Sequence, residues 1–177
     1  MTRYVLLDRD GTLVRNVGYP HRLEDYELLE GVTAALVRLA GAGYRLAIVT
    51  NQSGIGRGYF GMADYERFQA RLLADLAAAG VTIDATFLCP HAPDVGCPCR
   101  KPEPGLLWRA RDELGADLAR SWLIGDAASD IEAARRAGCG GAVRVGVASP
   151  QPQTDPQRFE ARDLGEAADR ILGYGAP

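Results

Sequence analysis

Asp8 and Asp10 stand one residue apart in Asp8-Arg9-Asp10-Gly11-Thr12, directly after the apolar run Tyr4-Val5-Leu6-Leu7. Two carboxylates this close repel each other in a loop shielded from water, so the pair makes chemical sense around a cation. Magnesium, a hard ion that takes oxygen ligands, suits them. An isolated Asp-Gly would mark only a turn, but other segments carry matching groups. Thr50-Asn51-Gln52-Ser53-Gly54 offers hydroxyl and amide donors and a glycine that lets backbone N–H groups approach, which is what a phosphate requires. The same residues also suit a helix cap. Arg100-Lys101 supplies two adjacent cations to neutralise a phosphorylated substrate.

A second constellation is Cys89, His91, Cys97 and Cys99, three thiols and an imidazole within a Pro/Gly-rich loop that can fold no core of its own. This is the Cys₃His set of a closed zinc site, and four protein ligands leave no open position for water, so the expected role is structural. A metal there would stiffen the loop and aim Arg100 and Lys101 back at the acids. Cys139 is left over and reads as a small buried residue.

The elements that must position these groups follow from periodicity. Strands are expected at Tyr4–Leu7, Tyr44–Val49, Asp84–Leu88, Ser121–Ile124 and Ala142–Gly146, and several end in polar residues. Helices are expected at Val32–Ala42, Met62–Ala79, Leu106–Leu114 and Ile131–Ala137, with Gly43 and Gly80 as stops. A tail helix near Leu164–Leu172 is expected to cover a sheet edge, after a Pro/Gln-rich link from Ser149 to Gln157. Asn16-Val17-Gly18-Tyr19-Pro20-His21 is a loop that either lines the pocket, as assigned here for residues 16 to 19, or merely connects. Gly54 to Phe60 is glycine-rich but lacks dinucleotide-binding spacing, so no nucleotide site is expected. Alternating strands and helices predict an α/β fold with a doubly wound parallel sheet, whose ligands bind at the strands' carboxyl ends.

The 177 residues suit one domain spanning 1–177, with residues 89–99 as its zinc loop. With 47% hydrophobic and 24% charged residues the chain is globular, and a net charge of −3 gives no reason to expect nucleic acid or an anionic membrane as partner. No export signal or membrane span stands out, so a cytoplasmic monomer is expected, with thiols reduced.

Asp8-x-Asp10-Gly11-Thr12, Lys101 and Gly125-Asp126 with Asp130 four residues on resemble the first, third and fourth motifs of the haloacid dehalogenase superfamily of phosphotransferases. The resemblance implies that Asp8 attacks phosphorus and that Asp10 protonates the leaving group and then activates water. It further implies that Lys101 steadies the nucleophile and the phosphoryl group. Asp126 would complete the magnesium shell with Asp8 and Asp10, and Asp130 would assist or cap the following helix. It places the first strand centrally, between the second and fourth. Together with the Cys/His quartet and Cys99-Arg100-Lys101-Pro102, the match is similar to the subfamily of heptose-bisphosphate phosphatases and histidinol phosphatases. That implies a capless, magnesium- and zinc-containing phosphatase acting on a heptose 1,7-bisphosphate, with histidinol phosphate as the alternative substrate. The implied catalytic residues are Asp8, Asp10, Thr50 and Lys101. The implied substrate contacts are Asn16, Val17, Gly18, Tyr19, Thr50, Asn51, Gln52, Ser53, Arg100 and Lys101. One position departs from the pattern: Ala127 stands where heptose phosphatases commonly have Lys. A phosphate-sensing protein on the same fold is the non-enzymatic alternative, and it would have little need for both Asp8 and Asp10.

Overall fold

The computed structural model describes residues 2–151 and 155–174. Six parallel strands, β1 (Tyr4–Leu7), β2 (Arg45–Asn51), β3 (Thr86–Cys89), β4 (Trp122–Gly125), β5 (Gly141–Arg144) and β6 (Arg158–Glu160), form one sheet in the order β3-β2-β1-β4-β5-β6. All four residues of β1 are buried, because a parallel strand covered on both faces has no solvent side.

Side chains alternate between two cores, as the period of two requires. Val5 and Leu7 point into a core shared with α1 (Val32–Gly41), α3 (Met62–Ala78) and α6 (Leu164–Gly173), where Leu36, Leu39, Phe68, Leu72 and Ile171 pack. Tyr4 and Leu6 point into the opposite core, shared with α4 (Gly105–Leu114) and α5 (Ala128–Ala137) through Leu106, Leu107, Ala133 and Ala134. A single turn of helix, α2 (Ser53–Gly56), follows β2.

From β1 the chain works outward to β2 and β3, then returns to β4 on the other side of β1. The order therefore reverses between β1 and β4, which opens a crevice at their carboxyl ends. The expected central placement of β1 holds. Two differences concern the tail. The helix α6, expected at an edge, lies over the face beside α1, because Leu164, Ala167, Ala168 and Ile171 bury against that core. The edge is instead β6, a three-residue strand whose Phe159 packs edge-on against Trp122. The link expected over Ser149–Gln157 lies partly outside the described residues. No helix among the described residues is long and apolar enough to cross a membrane.

Candidate active site

Asp8 follows β1 directly, and its N–H donates to Ile124 O of β4 at 2.8 Å, which fixes it at the mouth of the crevice. Asp126 follows β4 and comes within a van der Waals shell of Gly11. A Cβ built on Gly11, whose φ is +81°, would lie 2.1 Å from Asp126 Oδ2, so the glycine of the first motif makes room for the acid of the fourth.

Lys101 is 97% buried from solvent, yet stays charged because of what surrounds it: its Nζ lies 2.7 Å from Asp8 Oδ1, 2.6 Å from Asp130 Oδ1 and 2.8 Å from Val49 O. Burial disfavours the ammonium, but Asp8 and Asp130 outweigh it and raise the lysine's proton affinity. Asn51 clamps the lysine's backbone reciprocally, receiving Lys101 N on Oδ1 and donating Nδ2 to Lys101 O, both at 3.1 Å. Asp130 both caps and assists: its Oδ2 accepts from Ala127 N at 3.0 Å at the start of α5 while Oδ1 faces Lys101.

Asp10 has a different set of partners. Its Oδ1 takes Arg9 Nε at 2.6 Å, and its Oδ2 takes Gln52 Nε2 at 3.0 Å. The same Gln52 amide donates to Thr50 Oγ1 at 2.8 Å. Thr50 and Gln52 are both buried, so the second segment is spent largely on internal bonds rather than presented to solvent.

A cavity of about 400 Å³ is lined by Asp8, Asp10, Asn16, Gly18, Tyr19, Asn51, Gln52, Ser53, Arg100, Lys101, Asp126 and Asp130, among others. Of the residues expected there, Thr50, buried and bonded to Gln52, and Val17, 50% exposed, do not line it. A wider groove of about 770 Å³ adjoins it at Asn16 but is lined by none of Asp8, Lys101 or Asp126.

Asp8, Asp126 and Asp130 bring carboxylate oxygens within 4.8 Å of one another. Against three negative charges stands the single ammonium of Lys101, an excess of two that matches a divalent cation. The strain shows in the acids: burial, with Asp130 and Asp10 adding to it, pushes the Asp8 carboxyl up to about 7 despite Lys101. Burial and Asp130 likewise raise Asp126, against a hydrogen bond from Asn16. Both Asp130 oxygens are engaged, which leaves the second Asp8 oxygen and Asp126 as the groups that could hold magnesium. The Asp10 carboxylate, expected as a third ligand, is turned toward Arg9 and Gln52 instead.

The Cys/His quartet also gathers. Cys89, at the buried end of β3, has its Sγ 3.5 Å from Cys97 Sγ and 3.1 Å from Cys99 Sγ, and His91 Nδ1 lies 3.3 Å from Cys99 Sγ. Bonds of about 2.3 Å to a central zinc would set tetrahedral sulfurs roughly 3.8 Å apart, so donor type and spacing both fit. The loop packs by backbone on its neighbours: Gly56 N donates to Pro90 O at 2.8 Å, and Gly105 N to Pro98 O at 3.1 Å.

Sequence reasoning missed Arg9. It is fully buried between two acids of the motif, donating also to Pro20 O at 2.9 Å and Gln52 Oε1 at 3.1 Å, with its guanidinium 4.7 Å over the Phe68 ring. The only available signal was a charged residue within a buried-strand motif.

Comparison with known proteins agrees with this geometry. The HAD-hydrolase-like family profile matches residues 98–167. A probable D-glycero-D-manno-heptose-1,7-bisphosphate 7-phosphatase of Thermoplasma acidophilum is 46% identical over 122 residues, covering 69% of this chain and 76% of its own. The D-glycero-beta-D-manno-heptose-1,7-bisphosphate 7-phosphatase of Escherichia coli K12 is 40% identical over 153 residues, covering 82% and 80%. The crystal structure of D,D-heptose 1,7-bisphosphate phosphatase from B. bronchiseptica, complexed with magnesium and phosphate, superposes with a TM-score of 0.87 at 31% identity, covering 98% of this chain and all of that one. With these strand ends, this acid cluster and relatives matched over most of both chains, the protein belongs to the heptose-bisphosphate phosphatase family of haloacid dehalogenase-like phosphoric monoester hydrolases.

Proposed function

We propose that the protein removes the 7-phosphate of D-glycero-D-manno-heptose 1,7-bisphosphate through an aspartyl phosphate on Asp8. The observation that carries this reading is Asp8 itself, held at the carboxyl end of the central strand with Lys101 at 2.7 Å and Asp126 beside it. An Asp8 oxygen attacks phosphorus, the bond from phosphorus to the sugar oxygen breaks, and Asp10 gives that oxygen its proton. Asp10 then takes a proton from water as the water oxygen attacks the acyl phosphate, releasing phosphate and Asp8. Lys101 offsets charge on Asp8 and on the phosphoryl oxygens throughout. Ser53, at the start of α2, lines the cavity where a phosphoryl oxygen would sit. Magnesium held by Asp8 and Asp126 would add the positive charge that the transferring phosphoryl group needs.

The zinc loop is proposed to hold one zinc through Cys89, His91, Cys97 and Cys99, outside the chemistry. It delivers Arg100, which lines the active cavity. A guanidinium binds phosphate in a bidentate fork, so Arg100 is assigned to the second phosphate of the substrate. Histidinol phosphate would bring a cationic amine to the same place, which Arg100 repels. Asn16, Gly18 and Tyr19 form the opposite wall. The protein acts in this reading as a one-domain cytoplasmic monomer on a small phosphorylated sugar, without nucleic acid. The test is kcat/KM for the heptose bisphosphate and for histidinol phosphate in wild type and Arg100→Ala. The bisphosphate is expected to win in wild type, with the margin shrinking by about tenfold, roughly 1.4 kcal/mol, in the variant. A tenfold preference for histidinol phosphate in wild type would overturn the substrate.

A further inference from the structure

Arg9 is the most deeply buried cation of the molecule that the reaction scheme leaves without a task, being 0% exposed. Removing a guanidinium from water costs several kcal/mol unless its N–H groups are satisfied, and here Nε and Nη2 have specific partners while Nη1 is buried without an acceptor. Nε and Nη2 reach the two oxygens of Asp10 at 2.6 and 3.2 Å, and Nη2 also reaches Gln52 Oε1 and Pro20 O at 3.1 and 2.9 Å. The rings of Phe68 and Tyr65 on α3 lie 4.7 and 5.4 Å from the guanidinium carbon and close off its remaining side. Gln52 completes a closed ring, accepting from Arg9 and donating to Asp10 Oδ2 at 3.0 Å.

Asp10 thus meets a fork of donors on one side and a second donor on the other, which leaves its carboxylate little freedom to rotate. Asp8, two residues away, has no such brace; its Oδ1 takes the ammonium of Lys101, a point charge that sets no plane. The Pro20 carbonyl extends the brace to the loop that carries Asn16, Gly18 and Tyr19 to the cavity wall. We infer that Arg9 is a positioning residue for the acid/base step: together with Gln52 it sets the plane of the Asp10 carboxylate toward the leaving oxygen, and it ties that plane to the cavity-lining loop. This inference rests on the role of Asp10 proposed above.

The experiment compares two substrates. The sugar phosphate needs its leaving oxygen protonated, whereas an aryl phosphate that releases dinitrophenolate does not. Arg9→Lys keeps the charge but not the fork. It is expected to lower kcat on the sugar phosphate by about 10- to 100-fold, the scale of an ångström-level misplacement, with KM little changed. The burst of dinitrophenolate, which reports attack by Asp8 alone, should keep its wild-type rate. In an Asp10→Asn background the same change should add nothing further on the sugar phosphate, because the group it positions is gone. Equal losses in burst and sugar-phosphate turnover, full additivity with Asp10→Asn, or unimpaired turnover by Arg9→Lys would each overturn the assignment of Arg9. Undiminished sugar-phosphate turnover by Asp10→Asn alone would instead overturn the role of Asp10. Should Arg9→Lys not fold, Gln52→Met, which removes the amide half of the brace together with its bond to Thr50, decides by the same pair of measurements, with Thr50→Val as the control for the lost Thr50 bond. Sugar-phosphate turnover reduced with the burst preserved supports the brace, and any other pattern rejects it.

Discussion

The carboxyl edge of the sheet and the Cys/His loop each gather charged or metal-ligating groups, but they do so with different means. At the sheet edge, Asp8 and Asp126 extend directly from strands whose residues are buried on both faces, so the hydrophobic core holds the acids in place whether or not a cation is present. In the loop only Cys89 extends from a strand and is itself core; Cys97 and Cys99 are half-buried residues packed against the edge of that core, and His91 is exposed. In the proposed reading the first site is built by folding and then takes magnesium, while the second would be completed by zinc. The proposed consequence is a division of labour, with chemistry on the rigid element and substrate recognition, assigned to Arg100, on the one that zinc would stiffen.

The largest expected effects separate the two regions. Asp8→Asn should reduce turnover by roughly 10⁴-fold or more, as loss of a nucleophile does, while the far-UV circular dichroism and the zinc content stay those of wild type. Stripping zinc, or Cys97→Ser, should do the converse: KM for the bisphosphate rises by about tenfold or more, kcat changes less, and the sheet stays folded by far-UV circular dichroism. Global unfolding on zinc removal would show that the loop is part of the core's stability and would break the contrast.

A smaller effect comes from pH. The Asp8 carboxyl, ordinarily near 3.8, is pushed up to about 7 by burial, so the folded protein without magnesium holds this proton more tightly than the unfolded chain does. Stability from this group is then greatest below about 4 and is lost as pH rises toward and past 7, by a few kcal/mol. The melting temperature of metal-free protein should fall across that window. Asp8→Asn should flatten the slope, and magnesium should raise stability most at the high end, because it binds the ionised form. The zinc loop should contribute no matching slope once it is loaded.

What could be read from the chain reflects the same division. Asp8, Asp126, Lys101 and the four zinc ligands stood out because each sits at the end of an apolar run or within a short spacing. Local sequence reports such placement directly. Arg9 and Gln52 did not stand out as a pair, since the bond between them spans 43 residues and forms only when β1 and β2 align. Asn51 was assigned to substrate for the same reason, yet its amide clasps the backbone of Lys101 fifty residues on. The strand β6 was hidden because three residues beside a Pro/Gln-rich stretch carry too little periodicity; pairing with β5 makes it a strand.

The subtlest test of the contrast is steric and concerns the seam between the two regions. Gly105 opens α4, and a Cβ built there would fall 2.4 Å from Pro98 O and 3.0 Å from Cys99 Cα, both of them backbone atoms of the zinc loop that no side-chain rotation can move aside. Gly105→Ala must therefore push the loop away from α4 by a fraction of an ångström. With zinc bound as proposed, its four ligands would follow as a unit and carry Arg100 with them. Lys101 should resist, because Asp8, Asp130, Val49 O and both groups of the Asn51 amide hold it to the sheet. The displacement is then taken up between residues 99 and 101. Zinc content should stay at one per chain, kcat should change by less than about twofold, and KM for the bisphosphate should rise about two- to fivefold, in keeping with a small misplacement of one binding group. A comparable fall in kcat would mean that the strain reaches Lys101, and that the sheet edge is less independent of the loop than its burial indicates.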